Sequence, residues 1–401
     1  MNKSKLWIIS ELFYPDQTST AYILGEIAKK MESKYRVEVI TGPEFYDNDK
    51  IGNIVVDPEL ESLKKYRVWS PKLNKNRKIQ RCIRLLCVSF GIFFKALFKI
   101  GRNDKILLVT NPVPLIILMS FVKKLRKNNF VLLVHDVFPE NTIPTHILSS
   151  DKSKKYKILL SLFNNAYSSF DEFIVLGRDM KKKVEEKTLK NKFKKIHIIG
   201  NWSDVDIINN KYKEKHNDSI KKIILNYAGN IGRGQGLIDI LNIISNVKNN
   251  EFEFHIYGSG AELDNIKLFI KEHNLENKVK LYGPYAREKQ NEVLNDCDIA
   301  LISLNEGMFG LGVPSKTYNI LASGKPILYY GDKNSEIDLL VNEEKNGYSF
   351  SRNDREELIL FLENLTLDKK SKFEIMGQKS RLLAETKYSK EKILERYYKI
   401  L

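Results

Sequence analysis

The chain has 401 residues, of which 42% are hydrophobic and 10% aromatic, and its formal net charge at pH 7 is +16. This composition excludes a disordered chain and predicts an α/β protein with enough residues for two buried cores. The three cysteines are scattered, no N-terminal segment is typical of a signal peptide, and no apolar run approaches the roughly 20 residues of a membrane span. These features predict a cytoplasmic protein, either soluble or peripheral to the membrane.

Short apolar runs alternate with helix-like segments along the first half of the chain. The predicted strands cover residues 6–10, 36–41, 105–109, 130–136, 172–177 and 195–200. Residues 21–31 and 178–187 have the apolar periodicity of helices. Near-continuous apolar strands separated by helices predict a parallel sheet that is covered on both faces.

A strongly basic segment lies between the second and third of these strands, where residues 72–105 contain ten Lys or Arg and one acidic residue. On a helical wheel of residues 77–102, the basic side carries Arg77, Arg81, Arg84, Lys95, Lys99 and Arg102. The opposite side carries Ile79, Ile83, Leu86, Phe90, Phe93, Phe94 and Leu97. This pattern predicts a helix that lies in an anionic membrane surface, with a core helix that has a solvated basic edge as the alternative. Nucleic acid is not a predicted partner, because no recognition motif accompanies the charge.

The segment "VHDVFPE" (134–140) ends one predicted strand with three polar side chains, His135, Asp136 and Glu140. Polar groups at the carboxyl end of a parallel strand lie where such sheets bind ligands. His135 is a candidate hydrogen-bond partner for a sugar or a candidate general acid or base, and a structural histidine is the alternative.

A second series of strands and helices follows a polar stretch at residues 201–219. Its predicted strands cover residues 222–229, 252–258, 279–283, 298–304 and 326–331. Two such series predict two Rossmann-like domains that face each other, with ligands at the carboxyl ends of their strands. Residues 389–401 predict a terminal helix that crosses back onto the first domain.

Two segments of the second half predict a diphosphate site. In "YAGNIGRGQG" (227–236), glycines let backbone N–H groups approach an anion, and Arg233 adds charge. In "VPSKTYNILASGKPIL" (313–328), Ser315 and Lys316 stand at a helix start, which Ser315 can cap. The alternatives are an ordinary tight turn and an ordinary capped helix. The D-x-D pairs at 204–206 and 296–298 lack a third partner, so no metal site is predicted.

Six segments occur in the order and approximate spacing of one known family. They are "ELFYPDQTSTAYILGEIAKKM", "VHDVFPENT", "IIGNWSD", "YAGNIGRGQGL", "IYGSGAE" and "VPSKTYNILASGKPIL". As an ordered set they resemble family 4 retaining glycosyltransferases of the GT-B type, which have two Rossmann-like domains. The most similar branch is found in bacterial O-antigen and capsule gene clusters and includes N-acetylfucosaminyl-type transferases.

The resemblance implies a sugar transferase that retains anomeric configuration and needs no metal or other cofactor. The donor would be a nucleotide-diphosphate sugar, with UDP and an N-acetylated hexosamine such as N-acetylfucosamine expected and GDP left open. The acceptor would be a polyprenyl-diphosphate-linked saccharide, and the basic helix would hold the enzyme on the cytoplasmic leaflet. Residues 1–200 would bind the acceptor, residues 201–380 the donor, and residues 381–401 would cross back.

The resemblance also implies roles for individual residues. His135 and Glu306 would contact the donor sugar as candidate catalytic residues. The predicted donor-binding residues are Gly229, Asn230, Gly232, Arg233, Gln235, Gly258, Gly260, Ser315, Lys316 and Asn319. Of these, Gly258 and Gly260 would line the pocket for the nucleotide base. The predicted acceptor-side residues are Asp16, Thr18, Ser19, Thr20, Asp136 and Glu140. The chain departs from the family at its paired glutamates, which fall on Leu311 and Asn319, and at Asn230 and Gln235, where Arg and Lys are usual.

Two other functions fit the same sequence. A nucleotide-sugar isomerase of the UDP-N-acetylglucosamine 2-epimerase type has the same fold, but it has no use for a basic, Phe-rich helix. A non-catalytic subunit that binds the donor would explain the altered glutamate pair.

Overall fold

The computed structural model describes residues 3–44, 57–71, 73, 77–188, 194–209 and 222–401. The strands are β1 (Lys5–Ser10), β2 (Arg36–Thr41), β3 (Lys64–Arg67), β4 (Lys105–Val109), β5 (Asn129–Val134), β6 (Glu172–Val175), β7 (Lys195–Ile198), β8 (Ile223–Ala228), β9 (Phe252–Tyr257), β10 (Val279–Gly283), β11 (Ile299–Ser303), β12 (Ile327–Tyr330) and β13 (Gly347–Phe350). The helices are α1 (Ser19–Glu32), α2 (Pro58–Ser62), α3 (Lys78–Lys99), α4 (Val113–Arg126), α5 (Lys154–Ser169), α6 (Arg178–Thr188), α7 (Leu237–Ser245), α8 (Leu263–Glu272), α9 (Gln290–Asn295), α10 (Lys316–Ala322), α11 (Glu336–Glu344), α12 (Arg355–Glu363), α13 (Lys370–Thr386) and α14 (Lys390–Ile400).

The first domain is built on a seven-stranded sheet in the order β3-β2-β1-β4-β5-β6-β7, and every strand pair in it is parallel. Its central strands are apolar on both faces, and all but the first residue of β1 and of β5 are buried. Helices α3, α4, α5 and α6 pack side by side, while α1 packs against α14. Because helices cover the sheet, its strands need no polar face.

The second domain is built on a six-stranded parallel sheet in the order β10-β9-β8-β11-β12-β13. Strand β8 is buried along its whole length, as the apolar run at its start predicts. The prediction of two α/β domains with parallel sheets is therefore confirmed. The predicted division between residues 200 and 201 falls between β7 and β8, and residues 210–219 of the predicted polar stretch lie outside the described part of the chain.

The last helix, α14, follows the second domain and lies against the first. The Lys105 Nζ donates hydrogen bonds to the main-chain oxygens of Ile400 and Leu401, both at 2.9 Å. Tyr35 also donates to the main-chain oxygen of Leu401, whose side chain is buried. An ion pair joins Lys390 Nζ to Glu26 Oε2 of α1 at 2.8 Å. These contacts attach the end of α14 to the first sheet.

Helix α3 is apolar on two opposite faces. Val88, Ile92 and Ala96 are buried against the domain. The outer face carries a continuous row of exposed apolar side chains, Ile79, Ile83, Leu86, Phe90, Phe94 and Phe98, which we call the α3 ridge. Nearby elements expose Trp69, Phe121 and Leu125 at 76%, 52% and 72%. Among the described residues, no helix is long and apolar enough to span a membrane.

The predicted basic stripe lies on a different side of α3 from the α3 ridge, and most of it is also exposed. Arg77, Arg81, Lys99 and Arg102 are exposed, whereas Arg84 and Lys95 are half-buried. A helix of the ordinary core type would bury its phenylalanines, but Phe90, Phe94 and Phe98 are exposed at 45%, 51% and 78%. The structure therefore presents an apolar row and a basic row together at the surface.

Two glycines hold the loops after β8 and β9 in direct main-chain contact. A Cβ on Gly258 would lie 1.9 Å from the carbonyl oxygen of Gly229, and a Cβ on Gly260 would lie 2.3 Å from that of Ile231. Gly258 also has a φ of +144°, which L side chains rarely adopt. Close approach of the two loops therefore requires glycine at both positions.

The variant Gly258→Ala is expected to unfold at least about 3 kcal/mol more easily, because the main chain of one loop has to move. Gly283→Ala is the matched control, since Gly283 has a φ of +72° but nothing within 4 Å of an added Cβ. The control is expected to lose only about 1–2 kcal/mol, the cost of the left-handed conformation. Urea unfolding measures both variants, and equal losses would show that close approach does not select glycine here.

Candidate functional site

A cleft of about 200 Å³ lies between the two domains at the carboxyl ends of their strands. Side chains of the first domain that line it are Ser19, Thr20, Ile23, His135, Asp136, Leu176 and Asn201. The second domain contributes Gln235, Leu304, Met308, Gly312, Val313, Pro314 and Ser315. Six residues predicted from four separate motifs meet in this cleft, namely Ser19, Thr20, His135, Asp136, Gln235 and Ser315.

On the first-domain side, the residues that line the cleft follow the carboxyl end of β5 or lie in the first turn of α1. His135 follows β5 directly, and its backbone N–H donates to the Thr110 Oγ1 at 3.1 Å. Thr18 caps α1 by accepting a hydrogen bond from the backbone N–H of Ala21 at 3.2 Å. Ser19 and Thr20 then enter the cleft from the first turn of α1. Asp16 lies in the turn before this helix and does not line the cleft.

His135 is a neutral imidazole at physiological pH. Burial lowers its pKa from 6.5 to about 4, and its buried Nε2 has no hydrogen-bond partner among the described residues. Polar atoms that are buried in proteins are usually hydrogen-bonded. The next residue, Asp136, reaches solvent through the cleft, and the protein around its carboxyl raises the pKa to about 6. The pair offers a neutral nitrogen and a carboxyl to a ligand in the cleft.

The two predicted diphosphate motifs meet at Lys316. Its Nζ lies 3.4 Å from the centre of the Tyr227 ring and 3.4 Å from the position of a Cβ on Gly229. This Nζ is buried, has no hydrogen-bond partner among the described residues, and burial lowers its pKa well below the usual value. An ammonium group in such surroundings is unfavourable unless an anion accompanies it.

The neighbouring Ser315 occupies the first position before α10 but makes no side-chain cap. The prediction that Ser315 caps this helix is wrong, because its backbone is already helical, with φ −62° and ψ −26°. Its hydroxyl is instead available in the cleft. Asn319 lies one turn further along α10 and is half-buried.

The glycine loop is braced by the hydroxyl of Tyr227, which the sequence interpretation did not single out. This hydroxyl donates to the main-chain oxygen of Asn230 at 2.6 Å and contacts the Gln235 Oε1 at 3.2 Å. Gly229 and Gly236 adopt positive φ angles of 142° and 64°. The same aromatic side chain therefore supports Lys316 with its ring and fixes the loop with its hydroxyl.

Arg233 lies on the other side of the glycine loop. Its Nε is 3.4 Å from Glu262 Oε1, and 47% of its side chain is exposed. With Gly232 and Glu306 it lines a separate cavity of about 830 Å³. The structure thus does not bring Arg233 or Glu306 together with His135 and Ser315. The phosphate contact of Arg233 and the catalytic role of Glu306 stay predictions without support from this geometry.

Glu140 does not line the cleft. Its two carboxylate oxygens accept hydrogen bonds from the Lys187 Nζ at 2.8 and 2.9 Å. The Lys187 side chain is only 2% exposed and lies over the ring of Tyr167. This pairing anchors the segment after β5 to α6, a structural contact that the sequence motif did not reveal.

A second feature that the sequence did not predict is the burial of Glu11. This residue directly follows β1 and is only 3% exposed. Burial raises its pKa from 4.5 to about 7, although the charges of Arg84 and Arg81 act in the opposite direction. The only sequence signal is its position directly after β1.

Three of the four aspartates in the two D-x-D pairs have structural partners. Asp204 accepts a hydrogen bond from Tyr22 at 2.6 Å, Asp296 accepts one from Tyr257 at 2.7 Å, and Asp298 accepts one from the backbone N–H of Ile224 at 2.8 Å. In the described part of the chain, no group of three or more His, Cys, Asp or Glu is placed to hold a metal ion.

Solved structures with the same architecture are glycosyltransferases and related enzymes. Sucrose-phosphate synthase from Thermosynechococcus elongatus superposes with a TM-score of 0.75 at 13% identity, over 99% of this chain and 98% of the other. HepE of Anabaena, solved in complex with UDP-glucose, superposes with a TM-score of 0.66 at 13% identity, over 99% of both chains. The predicted GT-B fold is confirmed.

Sequence comparisons point to one family. Residues 208–382 match the family model described as "Glycosyl transferases group 1". The chain is 32% identical to the probable glycosyltransferase WbjE of Pseudomonas aeruginosa over 98% of this chain and 96% of that protein. It is 24% identical to the putative colanic acid biosynthesis glycosyl transferase WcaI of Escherichia coli (strain K12), over 84% and 85% of the two chains. By its fold, its cleft and this similarity over nearly its whole length, the chain belongs to the group 1 glycosyltransferases.

Proposed function

We propose that the protein transfers a sugar, with retention and without a metal ion, from a nucleotide-diphosphate sugar to a lipid-linked saccharide. The observation that carries this proposal is the buried Lys316 amine, which lies over the Tyr227 ring beside the glycine loop with no hydrogen-bond partner among the described residues. A diphosphate beside Nζ would supply the missing negative charge. It would also restore the ordinary pKa of the amine, since a nearby anion favours its charged form.

The donor proposal extends from this lysine to the groups around it. The Ser315 hydroxyl and backbone N–H groups of the glycine loop would donate hydrogen bonds to the same diphosphate. The N–H groups of Gly229 and Ile231 are not among these donors, because they already donate to the main-chain oxygens of Tyr257 and Ser259. Negative charge develops on the leaving diphosphate as the bond to the anomeric carbon breaks, and fixed donors stabilise it most in the transition state. UDP is the proposed nucleotide, in keeping with the UDP and UDP-glucose complexes of HepE.

The donor sugar would lie in the cleft between Ser315 and His135. The neutral His135 Nε2 can accept a hydrogen bond from a sugar hydroxyl, which an imidazolium could not do. The acceptor would enter from the side of Ser19 and Thr20 and add to the face that the diphosphate leaves. An N-acetylated hexosamine such as N-acetylfucosamine is the proposed donor sugar.

The acceptor proposal depends on the α3 ridge. A helix that exposes phenylalanines on one side and cations on another suits an anionic bilayer surface, where the rings enter the headgroup region and the cations meet lipid phosphates. A polyprenyl-diphosphate-linked saccharide is presented at such a surface. We therefore place the enzyme on the cytoplasmic face of the membrane, in the synthesis of a bacterial surface polysaccharide. WcaI, described as a putative colanic acid biosynthesis glycosyl transferase, is in keeping with this class of product.

Replacing Lys316 tests the donor site. UDP in the presence of EDTA is expected to raise the melting temperature of the wild type, and Lys316→Met is expected to remove that rise and lower kcat about 100-fold or more. Without UDP the variant should be at least as stable as the wild type, because the substitution removes a buried ammonium. Lys267→Met is the comparison, since it removes an exposed cation of the second domain that does not line the cleft, and it should retain UDP binding. Unchanged UDP affinity in Lys316→Met would contradict the proposed site.

Replacing His135 tests the sugar contact and its pH dependence. His135→Ala should lower kcat roughly 5- to 150-fold, the effect of about 1–3 kcal/mol for a buried hydrogen bond. In the wild type, a pKa near 4 keeps the imidazole neutral above pH 5, so this residue should not reduce transfer between pH 8 and pH 6.

His135 also makes the stability of the folded protein depend on pH. The unfolded chain binds a proton at His135 near pH 6.5 and the folded chain only near pH 4, so the wild type loses stability as pH falls through that window. His135→Asn should remove this loss, and urea unfolding at several pH values measures the difference between the two proteins. If the free energy of unfolding changed with pH in the same way in both proteins, His135 would not be held neutral in the folded state.

Charge reversal tests the membrane surface. The triple variant Lys95→Glu, Lys99→Glu, Arg102→Glu should bind vesicles of anionic lipid at least tenfold more weakly, since each basic residue near such a surface contributes about 1 kcal/mol. The control reverses three exposed lysines of the second domain, Lys267, Lys271 and Lys379, and so changes the net charge equally. Vesicle sedimentation measures both. Equal losses in the two variants would mean that net charge alone, and not the α3 ridge, governs binding.

A further inference from the structure

Helices α6 and α11 meet with their N-termini together across the domain junction. The Glu336 Oε2 of the second domain accepts a hydrogen bond from the backbone N–H of Arg178 in the first domain at 2.7 Å. The Asp179 carboxylate of the first domain lies close to Glu336, and a Cβ on the neighbouring Gly177 would lie 2.6 Å from Asp179 Oδ1 and 2.8 Å from the Glu336 Cβ. The first N–H groups of a helix have no partner within it. One N-terminal N–H of α6 is thus capped by a carboxylate from the other domain.

The junction is close, and one guanidinium bridges two carboxylates of the second domain. The Arg178 side chain donates to Glu336 Oε2 at 3.0 Å and to Glu343 Oε1 at 2.7 Å. A Cβ on Gly177 would lie 2.8 Å from the Cβ of Glu336, so this approach requires glycine. Asp179 is 3% exposed and is a buried part of the contact.

Asp179 also holds the loop that leads to the diphosphate site. Its Oδ2 accepts a hydrogen bond from the backbone N–H of Gly310 at 3.1 Å. Gly310 has a φ of +71°, and a Cβ there would lie 2.7 Å from the main-chain oxygen of Asp179. The loop therefore lies directly on the first turn of α6.

The same loop is bound on its other side by the segment that follows His135. The main-chain oxygen of Leu311 accepts a hydrogen bond from the backbone N–H of Val137 at 2.9 Å. Gly312 forms an antiparallel bridge with Asp136. Residues 310–312 of the second domain are thus clamped between α6 and the end of β5, both in the first domain.

The clamp lies between the two reacting sides of the cleft. On one side, Asp136 and Val137 directly follow His135. On the other side, Gly312 is three residues before Ser315 and four before Lys316. A shift of residues 310–312 relative to the first domain would change the separation between His135 and the proposed diphosphate site.

We infer that Asp179 is a positioning residue for sugar transfer, because it holds Gly310 at the contact between α6 and α11 and so fixes the second domain's donor site relative to His135. This inference rests on the proposed function. It assigns Asp179 no contact with substrate. Donor binding and sugar transfer should therefore respond differently to its loss. The second domain alone holds the diphosphate, whereas transfer requires the two domains in their correct relative position.

The experiment compares Asp179→Ala and the isosteric Asp179→Asn with Glu343→Gln. The control removes a charge on the outer side of Arg178 without touching Gly310 or the N-terminus of α11. In both Asp179 variants kcat should fall at least about tenfold, since displacing reacting groups by about 1 Å can cost 100-fold. UDP affinity should stay within about twofold of the wild type, as for a substitution away from the ligand. Hydrogen exchange should become faster at the amides of residues 310–312, and Glu343→Gln should resemble the wild type in all three measurements.

Two results would overturn the inference. One is a wild-type kcat in Asp179→Ala, and the other is a loss of UDP affinity that equals the loss of kcat, as general destabilisation would give. If the wild type itself does not bind UDP, the proposed function fails, and hydrogen exchange then decides the structural claim alone. Unchanged exchange at residues 310–312 in Asp179→Asn would overturn it, and faster exchange confined to those residues would support it.

Discussion

The contact of the Lys316 ammonium with the Tyr227 ring organises the candidate site. Lys316 is the first residue of α10, Tyr227 lies in β8, and the glycine loop that follows β8 passes beside the amine. The aromatic face partly compensates the buried charge, since a cation over a ring is attracted to it. It does not replace a hydrogen-bond acceptor. The site is therefore built around a charge that the described protein groups leave incompletely balanced, and this is a property expected of a place that binds an anion.

Several parts of the fold could be predicted because they follow from local patterns. Apolar runs such as Ile223–Ala228 are buried on both faces and must be strands of a covered sheet. Glycine-rich and polar segments after such strands indicate where the carboxyl ends of the sheet lie, and the cleft residues His135 and Ser315 were found in this way. The helix at 77–102 was predictable from periodicity, although the pattern could not show which apolar face would be buried.

Other features depend on contacts between distant parts of the chain. The sequence shows Arg233 within the glycine loop, but only the three-dimensional path of that loop shows that its side chain turns toward Glu262. Glu140 is similar, because its partner Lys187 is 47 residues away. The cap predicted for Ser315 failed because the residue is already in helical conformation, a matter of backbone angles that composition does not determine. The contacts of charged residues near a motif are therefore harder to predict from sequence than the positions of the glycines that shape its backbone.

The main-chain contact between the loops after β8 and β9 limits how such an enzyme can diversify. Surface loops ordinarily accept insertions at little cost, and binding sites often acquire new specificity by lengthening them. Here Gly258 and Gly260 lie against the carbonyl groups of Gly229 and Ile231, so neither loop can lengthen at the contact without displacing the other. A change of donor preference is thus expected to arise from exchanged side chains around a fixed backbone, and relatives with different sugars should share these two loop lengths.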